Sequence, residues 1–375
     1  MSWSIKVGRI FGIDIKIHLT FLLILVWGAF NYGGSAGPLY GVLVTLALFT
    51  LVLLHELGHS VAALGYGIPV RDITLLPIGG LARLERMPEK PLHELVVALA
   101  GPLVNVVLAI GLLPLVAVLA ALQGETFSLR MLMQPGLLGL LTFLLSANIS
   151  LAIFNMIPAF PLDGGRVLRA TLGFFTDYQR ATQIAVTVGR VFAIGLGLVA
   201  LFVPGQIFLA LIAVFIFFAG GQEGQAVAVK GMLRKVRVAQ ALTPHAVALS
   251  PEATVGQVAS LMMTSRQPDF PVLDPLTGQL LGVASHHTVT QAMQQGRWRS
   301  RVAEIMQQAR TVPTIALTAS LDEVQDKLAQ TSSRVAAVYD GLHFRGLISL
   351  EDVYRVFGFL SRSQSSGRRI GWQAG

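Results

Sequence analysis

The segment LVLLHELGHS, residues 51–60, places a His-Glu-x-x-His pattern inside an apolar run. On an α-helix, positions i and i+4 lie on one face, so His55 and His59 can reach one metal ion while Glu56 points at a water molecule that the metal acidifies. Two neutral nitrogen ligands and a carboxylate base are the minimal equipment of a zinc hydrolase. Because ionisable side chains are costly inside a membrane span, their presence here predicts a functional site.

The composition is that of a membrane protein with a soluble C-terminal part. Of the 375 residues, 53% are hydrophobic and 13% are charged, against roughly 25% charged in ordinary soluble proteins. The charge deficit lies in residues 19–222, whereas 223–375 resemble a soluble domain. The net charge of +8 is explained by basic loops facing an anionic leaflet, so no nucleic-acid partner is expected. Cysteine is absent, which excludes disulfides and Cys-ligated metal sites.

Six apolar segments are candidate membrane spans, each near the roughly 20 residues that a crossing helix needs except for the short first one. They are residues 18–32, 39–65, 93–122, 136–157, 183–203 and 206–222. With the N-terminus in the cytosol, the lysines and arginines of the loops fall inside, and the outer loops hold only Arg130. This orientation puts His55 and His59 in the cytosolic third of the second span.

Three short segments predict a small sheet beside the metal. Phe11–His18 alternates apolar and polar residues, which indicates a half-buried strand. Val70–Leu76 and Leu81–Arg86 are β-like runs around a turn at Pro77–Gly80. Backbone at membrane depth must be paired, so Phe11–His18 is the expected partner, and a free sheet edge can hold an extended peptide. An interfacial loop without a sheet is the alternative.

A zinc ion bound by two histidines lacks its usual third protein ligand. The candidates are Asp72, Glu85, His93, Glu94 and Asp163. Asp163 is preferred because the segment 155–166, NMIPAFPLDGGR, ends the fourth span at the same depth as His55. Its prolines break the helix and its glycines permit a tight turn, so a helix restarting near Gly165 holds the aspartate inward. A simple helix-capping role is the other interpretation of Asp163.

These residues together resemble the site-2 protease family of intramembrane zinc metalloproteases. The resemblance rests on His55–His59 combined with Asn155, Pro158 and Leu162-Asp163-Gly164 on another span, and Ala100–Asn105, AGPLVN, is similar to a further family motif. It covers residues 1–222. It implies hydrolysis of peptide bonds in or near transmembrane segments of membrane-anchored proteins.

The resemblance also implies roles for individual residues. His55, His59 and Asp163 would bind one Zn²⁺, and Glu56 would be the general base. Asn155 would be a polar group near the substrate backbone or the oxyanion. For Asn105 a substrate role and a structural hydrogen bond between helices remain equally open.

Residues 238–358 contain a weak internal repeat and resemble a tandem pair of cystathionine-β-synthase (CBS) domains. Gly282–Ser285 matches Gly346–Ser349, and the signature Gly-hydrophobic-hydrophobic-Ser/Thr-x-x-Asp is completed by Asp352. The resemblance implies that Ser349 and Asp352 contact an adenine nucleotide, with phosphate at a helix N-terminus. The first copy has Thr288 at the aspartate position, which puts its site in question. A pair that only forms a homodimer or docks is the alternative.

The predicted fold is an α-helical polytopic membrane domain of about six spans with a small membrane-associated β-sheet, followed by a cytosolic α/β tandem CBS pair. The expected boundaries are a protease domain at 1–222, a linker at 223–237, CBS domains at 238–298 and 302–358, and a disordered tail at 359–375.

The predicted function is regulated intramembrane proteolysis by a zinc metalloendopeptidase that the CBS pair modulates. The protein is expected to be a multi-pass protein of a bacterial or archaeal cell membrane, with a membrane-anchored protein as substrate. The main alternative is a CBS-bearing membrane transporter of ions or metals, and a second is a catalytically silent member of the family.

Overall fold

A computed structural model describes residues 3–85, 88–125, 131, 134–242, 247–265, 267–331 and 333–358. The predicted disordered tail, 359–375, Arg86 at the end of a predicted strand, and Arg130 lie outside these residues. The chain divides into two compact units between Gln225 and Ala226, and each is described by itself.

The first unit is built on long apolar helices. Its helices are α1 Phe21–Asn31, α2 Pro38–Gly65, α3 Pro91–Leu122, α4 Leu137–Asn155, α5 Asp163–Gly173, α6 Tyr178–Phe202 and the start of α7 Ile207–Leu233. Among the described residues, five of these (α2, α3, α4, α6 and α7) are long and apolar enough to cross a membrane. They correspond to five of the six predicted spans.

The first predicted span, 18–32, differs from the expectation. Strand structure extends to His18, and α1 has 11 residues. At 1.5 Å per residue this helix is about 16 Å long, roughly half of the hydrocarbon thickness of a bilayer. The strand before α1 and the strand after α2 pair in one sheet, so α1 and residues 32–37 together return the chain along the length of α2.

The predicted sheet is confirmed and is larger than expected. Its strands are β1 Ser4–Ile10, β2 Ile13–His18, β3 Val70–Leu76 and β4 Gly79–Leu84, in the order β1-β2-β3-β4. The pairing of β2 with β3 is parallel, and the two outer pairings are antiparallel. β4 is therefore one edge of the sheet, and it packs near α2.

Two strand boundaries were wrong. Phe11 and Gly12 have φ of 50° and 81° and form the turn of the β1–β2 hairpin, so the predicted strand begins at Ile13. The β3–β4 turn is Pro77-Ile78 alone, and Gly79 and Gly80 already belong to β4. Strand β1 was missed, although its residues also alternate between apolar and polar types.

The sheet joins the helices through a shared apolar core. Ile13, Ile15 and Ile73 are buried with Leu57 of α2 and Val97 of α3. This packing holds the sheet against the two helices that carry the HELGH and AGPLVN segments.

The second unit has the expected CBS-like order of elements. After α7 come α8 Val238–Ala241, α9 Val255–Thr264, β5 Asp269–Leu273, β6 Leu280–Ser285, α10 His286–Gln294, β7 Gln307–Gln308, β8 Thr314–Ala316, α11 Leu321–Thr331, β9 Val335–Asp340, β10 His343–Ser349 and a last helix over 350–358. They form two three-stranded sheets, β5-β6-β7 and β10-β9-β8. In the first copy, Leu249, which precedes α9, forms only an isolated parallel bridge to Val272 of β5.

Candidate active site

The two histidines of the HELGH segment and Asp163 meet in one buried cluster. Nε2 of His55 and Nε2 of His59 are 3.1 Å apart, as expected for neighbours on one face of α2. Oδ2 of Asp163 lies 3.2 Å from Nε2 of His55 and 3.1 Å from Nε2 of His59. All three side chains are buried. Within the described residues, this is the group of His, Asp and Glu side chains placed to hold a metal ion.

Asp163 reaches the histidines because the chain turns sharply after α4. Helix α4 ends at Asn155, and α5 starts at Asp163 itself. A Cβ at Gly164 would lie 2.3 Å from the carbonyl oxygen of Ile157, and a Cβ at Gly165 would lie 2.6 Å from the nitrogen of Phe160. Since both contacts are with backbone atoms, only glycine fits at these two positions.

Helix α5 is fixed by a buried ion-pair network that the sequence analysis missed. Arg169 is 1% exposed and donates to Glu94 of α3 through Nε, at 2.8 Å, and to Glu223 of α7 through Nη1, at 2.7 Å. Breaking such a buried pair from one side costs several kcal/mol, about 3–5. The network therefore holds α5, and with it Asp163, against α3 and α7. The sequence signal for this network was an arginine, Arg169, within the short amphipathic helix that lies between two predicted spans.

The second nitrogen of each imidazole is held by a group from α3. Nδ1 of His59 is 2.7 Å from the carbonyl oxygen of Val97, and Nδ1 of His55 is 2.5 Å from Oδ1 of Asn105. The Asn105 amide in turn donates to Oδ1 of Asn148 on α4 at 2.9 Å. Because both partners of the imidazoles are acceptors, each Nδ1 carries the proton and each Nε2 keeps its lone pair.

The donor atoms fit a zinc ion. Two imidazole lone pairs and a carboxylate oxygen face one another at 3.1–3.2 Å, an arrangement of acceptors that needs a cation between them. Zinc ligands at about 2.0–2.1 Å in tetrahedral geometry stand roughly 3.3–3.4 Å from one another. The triangle is therefore close to the size of one face of a zinc tetrahedron.

Gly101 explains part of the AGPLVN segment. A Cβ at this position would lie 2.2 Å from Nε2 of His59, so a side chain there would enter the cluster. Asn105, four residues further on α3, is completely buried, and its amide is shared between His55 and Asn148. This segment therefore lines the cluster and orients one of its imidazoles.

Glu56 lies beside the cluster and contacts the sheet. Its Oε2 accepts a hydrogen bond from the backbone N–H of Ala82 on β4, at 3.2 Å. Glu56 as a whole is only partly buried, unlike the three residues of the cluster. Asn155 is also partly buried, and its Nδ2 donates to the carbonyl oxygen of Leu151 within α4, at 3.0 Å.

The other sequence candidates for the third ligand are engaged elsewhere. Asp72 accepts from Lys16 at 2.8 Å and from Arg83 at 2.6 Å. Burial raises the pKa of the Asp72 carboxyl, but the hydrogen bonds from Arg83 and Lys16 outweigh burial and hold that pKa below its usual value. The remaining three also have partners: Glu94 binds Arg169, Glu85 pairs with Arg71, and His93 stacks on Tyr66.

In the second unit, Ser349 and Asp352 form a helix cap. Oδ2 of Asp352 accepts from the backbone N–H and the hydroxyl of Ser349, at 2.8 and 2.7 Å. In the first copy, the hydroxyl of Thr288 accepts from the N–H of Ser285 at 3.1 Å. Thr288 thus preserves the cap that the aspartate provides in the second copy, which explains why the first copy folds without the carboxylate.

Comparisons with known proteins show which family the chain belongs to. The sequence profile of peptidase family M50 matches residues 43–133 and 125–196, and that of the CBS domain matches 302–358. The chain is 30% identical to zinc metalloprotease MJ0392 of Methanocaldococcus jannaschii over 96% of this chain and 98% of that protein. It is 31% identical to the putative zinc metalloprotease sll0528 of Synechocystis sp. over 88% of this chain and 89% of that protein. A solved structure, the site-2 protease from M. jannaschii, is 36% identical and covers 59% of this chain and 95% of its own, with a TM-score of 0.43.

A helical membrane unit with a His-His-Asp cluster at its core defines a membrane-embedded metalloenzyme. The chain belongs to peptidase family M50, the site-2 protease family, and is a zinc metalloprotease. The predicted family and enzyme class are thereby confirmed.

Proposed function

We propose that the protein hydrolyses peptide bonds in or near transmembrane segments of membrane-anchored proteins, using one Zn²⁺ held by His55, His59 and Asp163. The observation that carries this proposal is the triangle of donor atoms at 3.1–3.2 Å, presented by α2 and α5 in a unit of apolar helices. A bound zinc ion supplies a Lewis acid and lowers the pKa of a water molecule to about 7.

The surrounding residues prepare the site for this chemistry. The Val97 carbonyl and Asn105 fix the tautomers of His59 and His55, so both Nε2 atoms are ready to bind a cation. Glu56 is the general base: Oε2 is held by the Ala82 N–H, and Oε1 is the atom that takes the proton of the attacking water and later delivers it to the leaving amine.

The edge of β4 is the proposed binding surface for the unwound substrate. A substrate helix hides its carbonyls in its own hydrogen bonds and must unwind before attack. The N–H of Glu85 faces inward, to the carbonyl of Pro69, at 3.0 Å. Since N–H groups alternate along a strand, those of Ala82 and Leu84 point away from β3. The Ala82 N–H is held by Glu56, and the Leu84 N–H is the donor proposed to pair with an extended peptide.

Replacing Leu84 by proline is expected to lower substrate turnover more than zinc content. The substitution removes an outward N–H without touching the inward hydrogen bonds of the ladder. Leu84→Ala is the matched control, because it shortens the side chain but keeps the N–H. Cleavage and zinc stoichiometry are measured on both variants. Equal loss of zinc and turnover in Leu84→Pro would contradict a substrate-binding role for this edge.

Proteoliposomes test the activity itself. The purified protein, loaded with zinc, is expected to cleave a peptide anchored in the same bilayer by one apolar helix. A chelator is expected to stop the cleavage, and added zinc to restore it. Cleavage that persists after complete removal of metal would contradict the proposal.

We also propose a multi-pass topology with the second unit in the cytosol. Five helices have the length and composition for crossing, and α1 with residues 32–37 is proposed as the sixth passage, so that the basic residues of the N-terminus and of the loops fall on the cytosolic side by the positive-inside rule. A cysteine introduced at exposed Leu276 is expected to react with a membrane-impermeant reagent only after cells are opened.

The second unit is the proposed regulator, with an adenine nucleotide as its ligand. Burial and the negative charges of Glu351 and Asp352 together raise the pKa of Asp269 to about 6. Three acidic groups close together disfavour phosphate but suit the hydroxyl donors of a ribose. The nucleotide proposal is supported by this group of acidic side chains and by the CBS-domain match over residues 302–358. A homodimer formed through the CBS pair is part of the same proposal.

Asp352→Asn is expected to weaken nucleotide binding about 10- to 100-fold, the cost of losing a hydrogen bond to a charged group. Asparagine still offers an oxygen for the cap with Ser349. Asp340→Asn, an exposed change in the same copy, is the control. Calorimetric titration of the full-length protein with AMP and ATP measures the affinity. Unchanged binding in Asp352→Asn would place the nucleotide elsewhere.

A further inference from the structure

The side chain of Glu56 is seated on strand β4. Its Oε2 accepts from the Ala82 N–H at 3.2 Å. Two residues earlier, a Cβ at Gly80 would lie 2.5 Å from Cγ of Glu56 and 3.2 Å from its Cδ. The aliphatic part of the Glu56 side chain therefore packs over Gly80, and its carboxylate accepts the hydrogen bond from Ala82.

This seat differs from the support of the cluster side chains. The imidazoles are oriented by α3, through Val97 and Asn105, and Asp163 is oriented by α5. Glu56 receives its hydrogen bond from the sheet. A free glutamate side chain has about 2 kcal/mol of rotamer entropy, and a catalytic group must be held within roughly 0.5 Å of its working position. The sheet is thus the element that restricts Glu56.

The absence of a side chain at Gly80 makes room for a side chain of α2 and not for a neighbouring backbone. The three nearest atoms to a Cβ at this position belong to the side chains of Glu56 and Val52. At Gly164, by contrast, the nearest atoms are backbone atoms. A methyl group at Gly80 would therefore displace the Glu56 side chain rather than the strand or α2.

We infer that Gly80 and the backbone N–H of Ala82 are positioning groups for the general base, so that the edge strand both binds the substrate and sets the place of Glu56. The inference rests on the proposed role of Glu56 in peptide hydrolysis. Strand β4 positions both the substrate backbone and the carboxylate of the general base. The register in which the substrate pairs with β4 therefore decides which peptide bond is cut. Substrate selection then depends on which residues pair beside Ala82.

Gly80→Ala tests the inference, and Gly8→Ala is the matched control. Gly8 lies on β1 of the same sheet, and a Cβ there meets nothing within 4 Å. In zinc-loaded proteoliposomes, Gly80→Ala is expected to lower kcat about 100-fold or more, the usual contribution of a general base, with KM and zinc content unchanged. Gly8→Ala is expected to behave as the wild type.

A second readout does not depend on activity. In the metal-free protein, the rate at which a carbodiimide modifies the Glu56 carboxyl is followed by mass spectrometry. Displacement from the seat is expected to make Gly80→Ala react faster than the wild type and Gly8→Ala.

Slower turnover with faster labelling supports the inference. Unchanged kcat, loss of zinc together with kcat, a rise in KM alone, or unchanged labelling overturns it. If the wild type itself fails to cleave the anchored peptide, the proposed function fails, while the labelling comparison still decides whether β4 seats Glu56.

Discussion

Glu56→Gln is expected to abolish measurable cleavage while the protein keeps one zinc ion per chain. Glutamine has the length of glutamate, and its oxygen can still accept from the Ala82 N–H, so the seat on β4 is preserved. What is lost is the basic carboxylate, and general bases contribute roughly 10²- to 10⁴-fold to rates. None of the three proposed zinc ligands is changed.

The control is Glu85→Gln, a partly exposed glutamate that follows β4 and pairs with Arg71. This variant is expected to cleave at the wild-type rate, because exposed ion pairs contribute little, about 0–1 kcal/mol. Zinc transport into proteoliposomes, measured on the same samples, distinguishes a protease from the main alternative, a membrane transporter of ions or metals. A transporter would still move metal after Glu56→Gln. A protease would move no metal in either form and would lose cleavage in the variant. Full cleavage by Glu56→Gln would contradict the assignment of the base.

Asp163→Asn is expected to remove both zinc binding and cleavage. An amide is nearly the same size as the carboxylate but has no charge. The zinc ion would then be held by the two neutral imidazoles of His55 and His59 without the anionic ligand. Changes in outer-sphere partners already cost roughly 10- to 100-fold in metal affinity, so the loss of a direct ligand is expected to exceed this range.

Asp177→Asn is the matched control for that variant. Asp177 is exposed and caps the N-terminus of α6 through the N–H of Arg180. Asparagine caps helices as well as aspartate does, so folding, zinc content and cleavage are expected to stay as in the wild type. Retention of full zinc affinity in Asp163→Asn would show that the third ligand is another residue.

The sequence predicted the parts of the site that depend on local geometry. The spacing of His55 and His59 fixes their common helix face whatever surrounds them. Asp163 was found because prolines and glycines mark the end of α4 and the restart at α5. These signals lie within short stretches of chain, so they can be interpreted without a tertiary structure.

The supports of the site could not be predicted in the same way. The bonds of His55 to Asn105 and of His59 to Val97 depend on how α2 packs on α3, and the seat of Glu56 depends on the placement of β4. The length of α1 was overestimated because hydropathy does not show where a strand ends. The cap formed by Ser349 and Asp352 could have been recognised, since Ser-x-x-Asp before an apolar helix is a capping pattern.

The central claim is that two histidines of one apolar helix and an aspartate at the start of another bind the same ion. Zinc-edge X-ray absorption on the purified, zinc-loaded Glu56→Gln protein tests it most directly, combined with the same measurement on Glu56→Gln/Asp163→Asn. We predict two imidazole nitrogens and at least one oxygen at about 2.0–2.2 Å in the first sample, and loss of the ion or of one oxygen ligand in the second. Identical spectra from the two samples, or a first shell without two imidazoles, would contradict the account.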